Sequence, residues 1–129
     1  VPFFFQTLTH EVISPGTPRV IQFEQRIPAS INIAVNNQFA DNQCAVILNT
    51  ENDQDSQNHW YFQLRGARSL IRCPIYVENG DLFGFVGVDY NHNIDQDQIS
   101  QDLTQVRESA ATIAQLFASM RSNNNQNRR

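Results

Sequence analysis

The stretch Arg72–Tyr90, RCPIYVENGDLFGFVGVDY, decides how the chain is read. Asn79-Gly80 lies between two alternating apolar runs, and both residues tolerate the positive φ of a type I′ turn. The segment therefore predicts a β-hairpin closed by two residues. Such a turn fixes the register. Glu78 then faces Asp81 beside the turn, while Val77 facing Leu82, Ile75 facing Gly84, Cys73 facing Val86 and Ile71 facing Val88 give an apolar face directed at the core. The other face pairs Tyr76 with Phe83, Pro74 with Phe85 and Arg72 with Gly87. One strand glycine falls on each face, and a strand glycine marks close approach by another group. Gly84 predicts a helix lying close on the core face. Gly87 predicts a shallow hollow with a cation at its rim. Arg72, Tyr76, Phe83, Phe85 and Gly87 are therefore the candidate partner- or ligand-binding residues.

Downstream, Asp95 with Gln98 three residues on is a helix start of capping-box type. Ile99, Leu103, Val106, Ala110, Ile113, Phe117 and Met120 recur at spacings of four and three. This stripe predicts a long helix that packs on the sheet or seats a second helix. The tail from Ser122, SNNNQNRR, reads as frayed. Upstream, Gln43–Thr50 is a short apolar run expected as a buried strand, and the aromatic His59–Leu64 reads as another. Thr17-Pro18 suits a helix start and Pro28 interrupts a helix, which predicts two helical pieces, 18–27 and 28–38. Alternation in Val20–Ile27 makes a strand the competing reading of the first piece.

At 129 residues the chain is expected to form one domain, 1–121, followed by a polar tail, 122–129. It carries nine Arg, no Lys and a net charge of −4, with 14 Asn and 14 Gln supplying a neutral polar surface. That balance excludes a general nucleic-acid binder, which would show a basic stripe. No run approaches the apolar length of a membrane span. The chain starts on Val1 rather than Met, as expected of a processed form or fragment. Its VPFFF start reads either as a segment docked on the core or as the end of a membrane helix that is absent here.

Motifs for chemistry are few. Asp89–Asp95 alternates oxygen ligands like a calcium loop, but Ile94 stands where the loop needs glycine and Ser100 where it needs glutamate. Asp53–Gln57 fails in the same way. His10, His59 and His92 have no metal-ligand spacing. No phosphate loop or nucleophile elbow is present. No catalytic residue, cofactor or metal is therefore expected. Cys44 and Cys73 match no zinc or redox motif. One disulfide and a pair of buried free thiols both fit them.

The strand ending in Cys73-Pro74-Ile75, the Asn79-Gly80 turn, Leu82–Tyr90 and the terminal helix resemble the last third of a GAF domain. That resemblance implies a PAS-like sensor fold, an α+β architecture with a central antiparallel sheet flanked by helices and a long C-terminal helix. The separation of Cys44 and Cys73 leaves little room for the family's generic ligand pocket.

A narrower resemblance is to the soluble domain of the T-even phage holins, carried by Phe3–Phe5, Arg19–Ile33, Ala45–Leu48, Arg72–Tyr76 and Ala110–Ala118. It implies a periplasmic lysis-regulating domain that binds an antiholin-like regulator and reaches the membrane only through a segment absent from this chain. It also implies that any disulfide uses Cys44, because the holin's helix cysteine is replaced by Ala110 or Ala111. The alternatives are a cytoplasmic GAF-like small-molecule sensor or dimerisation module, self-associating through the C-terminal helix, and a structural virion protein.

Overall fold

A computed structural model describes residues 5–28, 30, 33–39, 42–51 and 59–127. Two short strands, β1 (Phe5–Gln6) and β2 (Ile27–Pro28), pair antiparallel. They are followed by α1 (Ile33–Phe39), β3 (Ala45–Ile47), α2 (Trp60–Leu64), β4 (Ser69–Tyr76), β5 (Leu82–Tyr90) and α3 (Gln96–Asn127). The main sheet is antiparallel with order β3-β4-β5. This is the α+β arrangement expected from the hairpin and terminal helix, an antiparallel sheet flanked by helices with a long C-terminal helix.

Strand β4 is the centre of the molecule and is apolar or buried on both sides. Because side chains alternate along a strand, its residues divide between two cores. Ile71, Cys73 and Ile75 pack with Ile99, Val106 and Ala110 of α3. Leu70, on the opposite face, packs with Val35 and Phe39 of α1, Phe62 of α2, and Ala45 and Ile47 of β3. The sheet is therefore covered on both faces. Helix α3 begins where Asp95 Oδ1 accepts the Gln98 amide at 2.8 Å, the cap anticipated from sequence. Burying Ile99, which is 1% exposed, contributes ~1.5–3 kcal/mol. No helix of the described residues is long and apolar enough to cross a membrane.

Cys44 and Cys73 are joined in a disulfide, with Cα atoms 4.2 Å apart. Ala45 opposes Arg72, so the bridge joins the next opposed pair and ties β3 to β4 beneath α3.

Several sequence expectations are corrected. Residues 18–27 contain a single turn at 21–23 and then run into β2, so the strand-like alternation carries the second half of this piece. Tertiary contacts override the helix signal here: Leu8 N donates to Glu24 O at 2.8 Å and Arg26 N to Thr7 Oγ1 at 3.0 Å. Pro28 lies in β2 rather than starting a helix, and α1 begins at Ile33.

His59–Leu64 is not a strand, since Trp60–Leu64 forms α2. Its end is set by Gly66, at φ +79°. Gly66 N donates to Gln63 O at 3.1 Å and Ala67 N to Phe62 O at 2.9 Å, the pair of bonds of a Schellman ending. The helical twist places Phe62 inward while Trp60 and Leu64 face solvent. The helix α3 also runs through the expected frayed segment to Asn127. The segments 1–4 and 52–58, which include most of VPFFF and the Asp53–Gln57 loop, lie outside the described residues.

The hairpin turn differs as well. Gly80 N donates to Val77 O and Val77 N to Asp81 O, each at 2.9 Å, and only Gly80 takes a positive φ, +87°. Three residues, Glu78-Asn79-Gly80, close the hairpin in place of a two-residue type I′ turn. Tyr76 consequently opposes Leu82, and a shift between Ile75 and Tyr76 leaves Phe83 as an extra residue. From Ile75–Gly84 to Ile71–Val88 the pairing is the one expected.

Candidate functional site

The alternation of β4 places Arg72 on the face covered by α1 and α2. Its side chain is 7% exposed. The guanidinium lies 5.2 Å from the Phe62 ring centre and 5.1 Å from that of Phe85, held between two aromatic faces. Its Nη2 donates to Asp89 Oδ1 at 2.6 Å. The other carboxylate oxygen of Asp89 accepts from Arg65 Nη2 at 3.0 Å. Arg65 Nε lies 2.8 Å from Glu24 Oε1, with its N–H off the line to that oxygen, so this is an ion pair rather than an aligned hydrogen bond.

The Tyr61 hydroxyl donates to the same Glu24 oxygen at 2.7 Å, and Arg65 stacks over the Tyr61 ring at 5.6 Å. Two cations and two carboxylates thus form a neutral chain, which meets the requirement that buried charge be paired. Burial, reinforced by the Glu24 carboxylate, pushes the Tyr61 hydroxyl up to about 12.

Gly87 is built into this arrangement. A Cβ there would stand 2.4 Å from Ile71 O and 3.0 Å from Arg72 Cδ and Nε. The Arg72 side chain crosses the strand through the volume that a larger residue would occupy, so the hollow expected at Gly87 is filled by Arg72 itself. Gly84 behaves differently: a Cβ there meets nothing within 4 Å. The close helix approach expected at Gly84 is absent.

Of the five candidate residues, the structure brings Arg72, Phe85 and Gly87 together. Tyr76 is on the same side but serves α1, donating its hydroxyl to Phe39 O. Phe83 is separated from them by the register shift, and its ring packs on Phe117 of α3 at 4.4 Å. The shared Tyr76/Phe83/Phe85 face is therefore corrected. Phe62, Arg65, Asp89, Glu24 and Tyr61 complete the cluster, and sequence reasoning missed them. Asp89 was legible, since it has the same strand parity as Phe85 and Gly87. Glu24 and Tyr61, 37 residues apart and joined only by folding, were not.

Among the described residues, no three His, Cys, Asp or Glu side chains group as a metal site. A groove of about 520 Å³ runs along α3, lined by Gln105, Glu108, Ser109, Thr112 and Ile113, away from the Arg72 cluster.

This architecture is similar to that of GAF domains of known structure. The photoproduct state of a GAF domain from Synechocystis sp. PCC6803 aligns with a TM-score of 0.63 at 14% identity, over 92% of this chain and 83% of that one. The blue-light-absorbing form of the Thermosynechococcus elongatus PixJ GAF domain gives 0.61 at 12% identity, over 95% and 77%. A phycocyanobilin-bound GAF domain of a cyanobacterial phytochrome gives 0.54 at 15% identity, over 81% and 64%. These likenesses establish a GAF-like fold. No family model and no curated protein matches the sequence. None of the comparisons supports the holin resemblance.

Proposed function

We propose that this chain is a non-catalytic sensory module of GAF type, which takes up a signal on the Arg72 side of the sheet and passes it to α3. The observation that carries this reading is the two-faced burial of β4. Arg72 belongs to the aromatic and ionic cluster on one side, while its neighbours Ile71 and Cys73 pack under α3 on the other. A small molecule or partner that competes for the Arg72–Asp89 pair would shift β4, and α3 would feel the shift. The far end of α3 exposes Leu116 and Met120, each 58% exposed, as an apolar surface for a partner that receives the signal.

Hydrogen exchange tests the reading. The Arg72→Met substitution keeps the apolar stem and removes the charge. Amides of α3 between Ile99 and Ala110 are expected to exchange on the order of fivefold faster, with those beyond Phe117 unchanged. Exchange in α3 identical to that of the parent chain would remove the proposed link.

A further inference from the structure

Asn79 lies in the turn Glu78-Asn79-Gly80 that closes the hairpin, and all three residues are exposed. Of the 14 asparagines in the chain, it alone is followed by glycine. That pairing permits a reaction within the chain, with both reacting groups held on one short segment. The peptide nitrogen after an asparagine can attack the side-chain amide carbon and close a five-membered ring. A side chain on the following residue hinders the attack. Gly80 has none, and the space where its Cβ would stand is empty to 4 Å.

The side chain of Asn79 is already folded forward along the turn. Its Oδ1 accepts from the Asp81 amide at 3.0 Å, and its Nδ2 donates to Asp81 Oδ2 at 2.9 Å. The Asp81 N–H polarises the amide carbonyl at the oxygen where negative charge develops during attack. One contact opposes the reaction: Gly80 N donates to Val77 O at 2.9 Å and must leave that bond before it can attack. A single neutral bond at an exposed tip has a small net worth, because water replaces it. Opening it slows the attack by about tenfold at most, equivalent to roughly 1.4 kcal/mol.

The geometry points to Asn79 as a site of self-modification, at which the hairpin tip converts to aspartate and isoaspartate with water as the co-reactant. Gly80 N gives its proton to solvent and bonds to Asn79 Cγ. The Cγ–Nδ2 bond breaks, and the amide nitrogen leaves as ammonia with a proton from solvent. Water then opens the imide at either carbonyl. Opening at Cγ restores the ordinary backbone as aspartate. Opening at the main-chain carbonyl leaves the chain running through Cγ as isoaspartate, one methylene longer. Either product places a new carboxylate between Glu78 and Asp81. This modification is independent of the signalling role proposed for Arg72.

Peptide mapping by mass spectrometry tests the site, with the folded chain held in mildly alkaline buffer. Asn79 should convert before any other asparagine and give both products. Its rate should fall within about tenfold of that in a free peptide spanning Tyr76–Gly84. Asn79→Gln should stop the conversion at this position, because glutamine must close a six-membered ring. Conversion led by another asparagine, aspartate formed without isoaspartate, or undiminished conversion in Asn79→Gln would each overturn the inference. So would protection of the folded turn by more than about tenfold relative to the peptide.

Discussion

Gly84 and Gly87 stand three residues apart in one strand, yet a methyl group added at each meets different surroundings. At Gly87 it meets the Ile71 carbonyl at 2.4 Å and the Arg72 stem at 3.0 Å. Gly87→Ala is therefore expected to destabilise the fold by about 1–3 kcal/mol, the usual cost of overpacking, measured as a lower urea midpoint with an unchanged slope. Gly84→Ala meets no atom and should leave the midpoint in place or raise it slightly.

Tyr61 yields a second prediction at this scale. Its hydroxyl titrates near 12 in the folded chain against an ordinary value of about 10. A group whose folded pKa is raised contributes stability that is complete below the unfolded pKa and is lost as pH rises through the folded one. Stability should therefore fall between about pH 10 and 12, and Tyr61→Phe should make that fall shallower. Alkaline denaturation followed by circular dichroism reads this directly. An unaltered slope in the variant would separate Tyr61 from the loss.

Among the elements, α3 and the disulfide act on the same face of β4, where the bridge lies beneath the helix. Helix α3 is 32 residues long, roughly 48 Å, and β5 is nine residues, roughly 30 Å, so the helix reaches beyond the sheet. Its stripe accordingly has two parts. Ile99→Ala, under the sheet, should cost about 2–5 kcal/mol, whereas Met120→Glu, on the exposed end, should leave the stability unchanged within ~0.5 kcal/mol. The Cys44–Cys73 bridge closes a sequence separation of 29 residues. Replacing both by serine should cost about 3–4 kcal/mol relative to the oxidised chain, read by urea titration. A loss near zero would show that the bridge is not formed in solution.

The legibility of the elements follows how local their causes are. The hairpin and α3 were legible because Asn79-Gly80, the Asp95 cap and the heptad stripe act within a few residues. Strand β3 was legible as a compact apolar run. Helix α2 was misread because HWYFQL suits a strand by composition, while its true signal, the helix-ending Gly66, stands outside it. The N-terminal region was misread because its structure depends on contacts such as Leu8 with Glu24, which local propensity does not record.

For the whole molecule, the decisive fact is that one central strand belongs to two cores. The sequence showed one apolar face and one aromatic face on the hairpin, and it showed that Arg72 belongs to the second. It did not show that α1, α2 and the segment around Glu24 converge over that second face to close it. Folding alone brings Glu24, Arg65, Asp89 and Arg72 into one neutral chain. The GAF-like fold seen in the comparisons describes the frame, and within it the cluster is built from the side chains of this chain.

The proposed signalling route requires the Arg72 cluster and α3 to be energetically coupled through β4. A double-mutant cycle measures that coupling most directly, with Arg72→Met on one face and Ile99→Val on the other, each followed by urea unfolding. A coupling free energy of at least about 0.5 kcal/mol between them is expected. Additivity within about 0.3 kcal/mol would mean that the two faces of β4 are independent and that no signal crosses the strand.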